Sequence, residues 1–387
     1  VSWYLKETIN LLDSSTDFNS FDRLNFYTKA TLPLQFHINE LIKKAKLIYN
    51  TNRSINTDSR NLFSKNAIQI GLHSGNNKVM IDLGKRLFFE KLLSENAKIS
   101  CGNCHQPEKY FTDGLPKRAT IDGQSFVARN APSLLYSTFQ YAQFLDGRAK
   151  NIEEQIREVL NNPAEMGSNH KHTIARLSKM KVYQDYFKKS FQKSKDQPVS
   201  LHNVSIAINA YLASLAPMNS PFDEYISGNA SKLNTSQIRG FNLFMGKAQC
   251  GTCHFAPIFN GLIPPYYNRT EYEVLGLTID TNFIQPKIDN DDGRFNRFQI
   301  LYYKGAFKTP TLRNIAKTAP YMHNGAFPSL EKVMEFYNKG GAAGMGLAFP
   351  TQTLSSKPLN LLPKEIEDII QFLHSLTDSI PKPLTHS

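Results

Sequence analysis

Cysteine is scarce in this chain: four in 387 residues, and none lies outside two five-residue stretches. Nothing is left over to build a disulfide framework. Tryptophan is scarcer still, with Trp3 the one example. No apolar run reaches the length of a membrane-spanning helix, which needs about 20 residues, and no nucleic-acid fold signature is present. The chain opens on Val1-Ser2-Trp3 without the basic-then-apolar pattern of an export leader, so the expectation is a mature or trimmed form. Acidic residues are outnumbered, 33 against 45 Lys and Arg, leaving a formal charge of +12. That surplus suits a solvated basic surface or an acidic redox partner, and no nucleic acid is expected. With 41% hydrophobic residues, a chain of this length holds two or three domains with cores of their own.

What is there is organised by the two stretches, Cys101-Gly102-Asn103-Cys104-His105 and Cys250-Gly251-Thr252-Cys253-His254. Each reads C-x-x-C-H, the attachment pattern for c-type haem. Two thiols add across the two vinyl groups of one porphyrin, so they must lie about one helical turn apart. The adjacent histidine then turns its imidazole onto the iron. A zinc site made from two C-x-x-C knuckles would leave His105 and His254 without a role, and its knuckles usually sit closer in sequence. Two covalent haems are therefore expected. Cys101, Cys104, Cys250 and Cys253 are the attachment points, and His105 and His254 the proximal ligands. Attachment of this kind resembles what bacteria do outside the cytoplasm, which makes the periplasm the expected location.

The expected fold is all-α: an N-terminal helical extension over residues 1–77, a first haem domain over 78–230 and a second over 231–387. Leu32 to Tyr49 has apolar residues at helical spacing, and His37 within it reads as structural. Ser74-Gly75-Asn76-Asn77 reads as a loop and boundary. A helix is expected from Lys78, and Leu83-Gly84-Lys85-Arg86-Leu87-Phe88-Phe89 is echoed by Arg239-Gly240-Phe241-Asn242-Leu243-Phe244-Met245 before the second motif. Thr235-Ser236 is the expected N-cap of that second helix. The echo continues beyond each motif. Residues 132–156 align without a gap on 310–334, setting Pro132 on Pro310, Leu134 on Leu312, Gly147 on Gly325 and Glu153 on Glu331. This is the pattern of a duplicated haem domain with pseudo-twofold architecture. Pro363 to His374 reads as an amphipathic helix before a tail holding Pro381 and Pro383, with His374 structural.

The two copies differ where a distal ligand would lie. Tyr337 in the second copy aligns with Val159, which cannot bind iron, and Glu165 in the first aligns with Ala343. One copy offers an acid without a ligand, the other a ligand without an acid. An iron with one protein ligand keeps a site for a small oxidant, and a carboxylate beside it can move the proton of peroxide. An iron held on both faces passes electrons only. The plain alternatives are a loop carboxylate for Glu165 and a core aromatic for Tyr337.

From about Lys78 to Leu384 the chain resembles the bacterial di-haem cytochrome c peroxidase family. The motifs that carry the resemblance are LGKRLFFEKLLSENAKISCGNCH, RNAPSLL, FLDGRAKNIEEQ, NPAEMG, FKTPTLRNIAKTAPYMHNG and FLHSL. The resemblance implies a helical two-domain body with Glu165 as distal acid of the peroxidatic haem and Gln155 beside it. It also implies a calcium ion between the domains, held by the side chain of Asn130 and the carbonyls of Thr318 and Pro320, hard oxygen ligands of the right kind. Three departures stand out. Members that need reductive activation carry a histidine in the loop after the first motif. Here that loop is Ala119-Thr120-Ile121-Asp122-Gly123-Gln124, with no histidine between His105 and His170, so an open first haem is expected. Tyr337 replaces a methionine ligand, as in the MauG-like branch, with Met322, Met345 and His323 as rival ligands. Leu145 replaces an inter-haem tryptophan, leaving Phe144 or Tyr141 as aromatic substitutes. The reading is a di-haem peroxidase using hydrogen peroxide and an electron-donor protein such as a small cytochrome c, with a homodimer as an open expectation. The alternatives are a MauG-like enzyme oxidising a partner protein and a non-catalytic di-haem electron carrier or sensor.

Overall fold

The computed structural model describes residues 1–14, 17–47, 77–192 and 198–380. Regular structure there is mostly helical. The longer helices are α1 (Ser2–Asp13), α2 (Leu32–Lys44), α3 (Lys78–Phe88), α4 (Ile152–Asn161), α5 (His170–Lys179), α6 (Lys181–Ser190), α7 (Leu201–Ala213), α8 (Thr235–Met245), α9 (Leu330–Asn338) and α10 (Pro363–Ser375). No helix among the described residues is long and apolar enough to cross a membrane. The all-α expectation missed one short antiparallel pair, β1 (Tyr272–Val274) with β2 (Ala306–Lys308), in register Glu273 opposite Phe307. Three residues a strand are too few for the alternation by which strands are recognised. The helix expected over 32–49 ends at Lys44. Residues 48 and 49, the loop residues 74–76, and Pro381 and Pro383 lie outside the described residues.

Contacts divide the chain into two units. The unit with the first motif is Gly71–Ala216, Lys317–Pro328 and Ile380–Ser387. The unit with the second is Val1–Ile70, Pro217–Ala316 and Ser329–Ser379. This grouping does not follow chain order: the N-terminal helices go with the second motif, and residues 317–328 with the first.

In the first-motif unit, α3 starts at Asn77, whose side-chain oxygen accepts from the Val79 and Met80 N–H groups at 3.1 and 3.3 Å. It buries Leu83, Leu87 and Phe88 and crosses α7 at Gly84, where a Cβ would run into the Ala207 carbonyl. Only glycine permits that approach. Phe88 meets Tyr211 of α7 and Phe111 with ring centroids 5.3 and 6.2 Å apart.

The second-motif unit has a matching crossing of α8 and α10, where a Cβ on Gly240 would run into the Asp368 carbonyl. Around it, Phe372 touches Phe222, Phe241, Phe244 and Phe259 at centroid separations of 5.5, 5.4, 5.2 and 5.7 Å. The cap of α8 is Asn234 rather than Thr235 or Ser236. Its oxygen accepts from Gln237 N–H at 2.9 Å while Gln237 Oε1 accepts from Asn234 N–H at 3.0 Å, a reciprocal pair that a lone hydroxyl cannot make. Arg313 is fully buried, its Nη1 and Nη2 on the two oxygens of Asp223 at 2.9 and 2.8 Å. The N-terminal residues join this unit through Asn242 of α8, which accepts from Leu24 N–H at 2.9 Å and donates to Asp22 at 3.0 Å. His37 stacks on Tyr4 at 4.6 Å.

Backbone conformation repeats along the aligned segments. Tyr136 and Asn314 have φ of 61° and 64°, Phe144 and Met322 62° and 73°, and Gly147 and Gly325 both 64°. The isolated bridge Gln143–Ala149 recurs as Tyr321–Phe327.

Candidate active site

Each C-x-x-C-H stretch is a tight turn with its histidine facing back into the fold. In the first, Ser100 N–H donates to the Asn103 side chain at 2.8 Å, so a residue inside the motif caps its own turn. Tyr110 and Phe111 take φ of 54° and 59°, and the Phe111 carbonyl lies 3.0 Å from His105 Nδ1. In the second, His254 Nδ1 lies 3.2 Å from the Phe259 carbonyl and 3.1 Å from the Pro310 carbonyl. A carbonyl only accepts, so Nδ1 carries the proton and the Nε2 lone pair is left for a metal. Desolvation holds both imidazoles below their ordinary value, His254 at about 4. Both are neutral at physiological pH.

The thiols fit the same group. Desolvation pushes Cys101, Cys250 and Cys253 up to about 12 and raises Cys104. Conversion to neutral thioethers removes the ionisable group. The donor set suits two covalently bound haems.

The unit that holds the first motif has a cavity of about 250 Å³ lined by Phe144, Arg148, Glu158, Asn161, Asn162 and Glu165. The Glu165 loop is pinned by its backbone. Glu165 N–H and Gly167 N–H donate to the Asn162 carbonyl at 3.0 and 2.8 Å, Ile121 N–H to Ala164 at 3.0 Å and Glu95 N–H to Met166 at 3.0 Å. The Ile121 bond ties in the loop Ala119–Gln124, the segment expected to lack an iron ligand. Desolvation raises the Glu165 carboxyl, against the Arg148 charge and a hydrogen bond with Asn162 that lower it, while Glu158 raises it further. Its charge is felt at both Cys101 and Cys104.

Arg148 is clamped from several sides. Its Nη1 donates to Asp146 at 3.1 and 3.0 Å, its Nε to Glu158 at 3.0 Å, and the guanidinium lies 3.5 Å over the Phe144 ring. Asp146 also pairs with Arg129 at 2.6 Å. Sequence reasoning missed Arg148, Glu158 and Asn162. The one signal was spacing: Gln155 and Glu158 are one turn apart on α4, so a side chain proposed for the site marked the face that carries its neighbour. Gln155 itself is half-buried and does not line the cavity.

At the second motif, Tyr337 lies near the end of α9. Desolvation raises its phenol first, and the charges of Cys250, Cys253 and Glu273 add to this. Met345 follows in the same unit, whereas Met322 and His323 group with the first motif. Asn130, Thr318 and Pro320 all belong to the first-motif unit. Asn130 N–H donates to the His323 carbonyl at 2.8 Å, bringing the two strips together, and its amide nitrogen donates to Leu115 at 2.7 Å. That leaves the amide oxygen as the atom with cation-binding chemistry.

The sequence profile of the family described as di-haem cytochrome c peroxidase matches residues 78–231. The chain is 32% identical over 298 residues to the methylamine utilization protein MauG of Methylorubrum extorquens, covering 76% of this chain and 77% of that protein. It is 33% identical over 302 residues to the cytochrome c551 peroxidase of Pseudomonas aeruginosa, covering 78% and 79%. Among solved structures, a MauG-like protein associated with microbial copper homeostasis is similar at a TM-score of 0.67 and 29% identity, covering 79% of this chain and 91% of that one. Helical architecture, two haem attachment motifs and these likenesses agree: the chain belongs to the di-haem cytochrome c peroxidase family, oxidoreductases that use peroxide and carry two haem c groups.

Proposed function

We propose that this protein is a periplasmic di-haem peroxidase that reduces hydrogen peroxide at the first motif, with electrons passed through the second. The observation that carries this reading is the cavity walled by Glu165 and Arg148, with Glu165 in charge range of Cys101 and Cys104 and its loop bonded to a segment without histidine. Haem c held at the first motif would supply the iron that exchanges electrons with peroxide, and haem c at the second would pass electrons to it. Proton handling falls to the side chains. Peroxide needs two electrons and two protons to become two waters. Glu165, its carboxyl raised by desolvation, takes the proton from the inner oxygen of peroxide and returns it to the departing one. Arg148, held by Asp146 and Glu158, keeps the carboxyl from rising further. Gln155, one turn before Glu158 on α4 but outside the cavity lining, is given no contact with peroxide.

The two aligned stretches of sequence, with their motifs, are read as a duplication. Its support is the matched glycine crossings at Gly84 and Gly240, the shared positive φ positions and the paired Pro132 and Pro310 carbonyls toward His105 and His254. The N-terminal segment is read as an extension docked through Asn242. Tyr337 would be a second protein ligand to the iron that His254 holds, supported by its range of Cys250 and Cys253. Asn130, Thr318 and Pro320 are assigned to calcium, and the donor is a small protein such as a cytochrome c that finds the basic surface.

A second reading, oxidation of a partner protein's residues, is favoured by Tyr337 and by the likeness to MauG. Electron paramagnetic resonance of the resting haem-loaded protein tests the leading proposal. A high-spin ferric signal, lost on adding peroxide without prior reduction, is expected from the His105 centre. Two low-spin signals alone would instead match the electron carrier. A covalently modified partner recovered after peroxide would favour the second reading.

A further inference from the structure

Two carboxylates that the proposed mechanism does not use stand beside the second motif. Glu271 and Glu273 flank Tyr272 at β1 and, two apart in an extended strand, project from one face. One oxygen of each and the Cys253 sulfur all lie within 4.8 Å of one another. The strand that carries them is fixed: Glu271 N–H donates to the Gly261 carbonyl at 2.8 Å, and the Glu271 carbonyl accepts from Thr309 N–H at 3.3 Å. The Thr353 hydroxyl holds Glu273. Glu271 Oε2 is buried and has no hydrogen-bond partner. Burial and the Glu273 charge push the Glu271 carboxyl up to about 7, with no cation opposing them. Because the sulfur is committed to the porphyrin, the trio is not a metal site.

The first motif is built differently. Cys104 lies in range of the Arg118 guanidinium, the leading charge on it, with Asp113 and Glu165 acting against. Arg118 Nη1 is fixed on the Asn103 carbonyl at 2.6 Å, inside the motif itself. The first centre sets a cation against the acids at its second cysteine, whereas Cys253 of the other faces a pair of acids. Negative charge held close to a haem in a partly desolvated site favours the more positive, oxidised iron.

We propose that Glu271 and Glu273 tune the reduction potential of the second centre, lowering it by direct charge on the Cys253 side. This deepens the assigned division of labour: the surroundings favour loss of an electron at the centre that supplies it. It rests on the reading of Cys250, Cys253 and His254 as a haem site, not on peroxide turnover.

The test is a spectroelectrochemical titration of the haem-loaded protein without peroxide, resolving the two centres. Glu273→Gln should raise the midpoint of the His254 centre. Titrated above pH 7, where the Glu271 carboxyl is mostly ionised, the double variant with Glu271→Gln should raise it further, to a total of at least a tenfold change in the redox equilibrium, about 59 mV for one electron. The His105 centre should move by much less, and Glu273→Asp should retain the parent value. An unmoved His254 centre, or equal shifts at both, overturns the proposal. If the double variant loads only one haem, the single variants carry the same comparison. Failure of peroxide turnover in the parent protein would sink the peroxidase reading and leave this result standing.

Discussion

Glu165→Gln is the sharpest perturbation of the proposed mechanism. The loop around it is held by backbone donors and by the Asn162 carbonyl, none of which the substitution touches. Glutamine has nearly the same volume, so the cavity of about 250 Å³ keeps its shape. What is lost is a group that exchanges protons. A positioned acid–base is worth roughly 10²–10⁴ in rate, about 2.7–5.4 kcal/mol at 1.36 kcal/mol per decade. Stopped-flow mixing of peroxide with the resting protein should give that loss while the His105 spectrum stays as in the parent. The pH profile adds a second reading. As a base, Glu165 acts when ionised, and desolvation raises its pKa. Turnover should therefore climb with pH on a limb lying above the ordinary carboxylate value of about 4.3. The limb should vanish in Glu165→Gln and move to higher pH in Arg148→Gln, because the guanidinium lowers that pKa. A loss below about threefold, or a limb that persists without the carboxylate, would refute the assignment, since both lie outside what general acid–base catalysis supplies.

Asp223→Asn strands a buried Arg313 charge and should cost about 3–5 kcal/mol in denaturant unfolding. Burial raises the Asp223 carboxyl, but Arg313 and Ser220 lower it more, and it ends below its usual value. The pair's stabilisation is thus present above the unfolded value of about 3.9 and is lost as pH falls through the lower folded one; the variant should lack this acid transition. Gly240→Ala drives a methyl group into the Asp368 carbonyl, and a melting temperature lowered by about 1–3 kcal/mol of overpacking is expected. Tyr337→Met should raise the potential of the His254 centre and change its spectrum, and an unchanged spectrum would remove Tyr337 as ligand. Chelation should lower thermal stability, with calcium restoring it better than magnesium; at 100-fold excess over its dissociation constant the ion contributes about 2.7 kcal/mol.

The attachment motifs were legible because covalent haem chemistry is local: five consecutive residues carry thiols and ligand alike. Glu165 and Tyr337 were singled out by comparing two copies, where Val159 and Ala343 showed what each copy lacks. Arg148 was not assigned a role, because its place depends on Asp146 and Glu158 converging from a loop and a helix, which no spacing encodes. The Asn234 cap escaped since Thr and Ser beside it are equally good capping residues, and the choice rests on Gln237 answering back. Glu271 and Glu273 were passed over because acids near a three-residue strand carry no signal until Cys253 is brought to them.

Residues 317–328 belong with Cys101 rather than Cys250. Asn130 N–H grips the His323 carbonyl, and Gly325, at a φ of 64°, packs where a Cβ would strike Pro116. A gene cut at the midpoint between the motifs would deliver an N-terminal product missing one of its own walls. Grafting or expressing either haem module alone therefore calls for splicing in this twelve-residue strip, since halves of the text are not halves of the molecule.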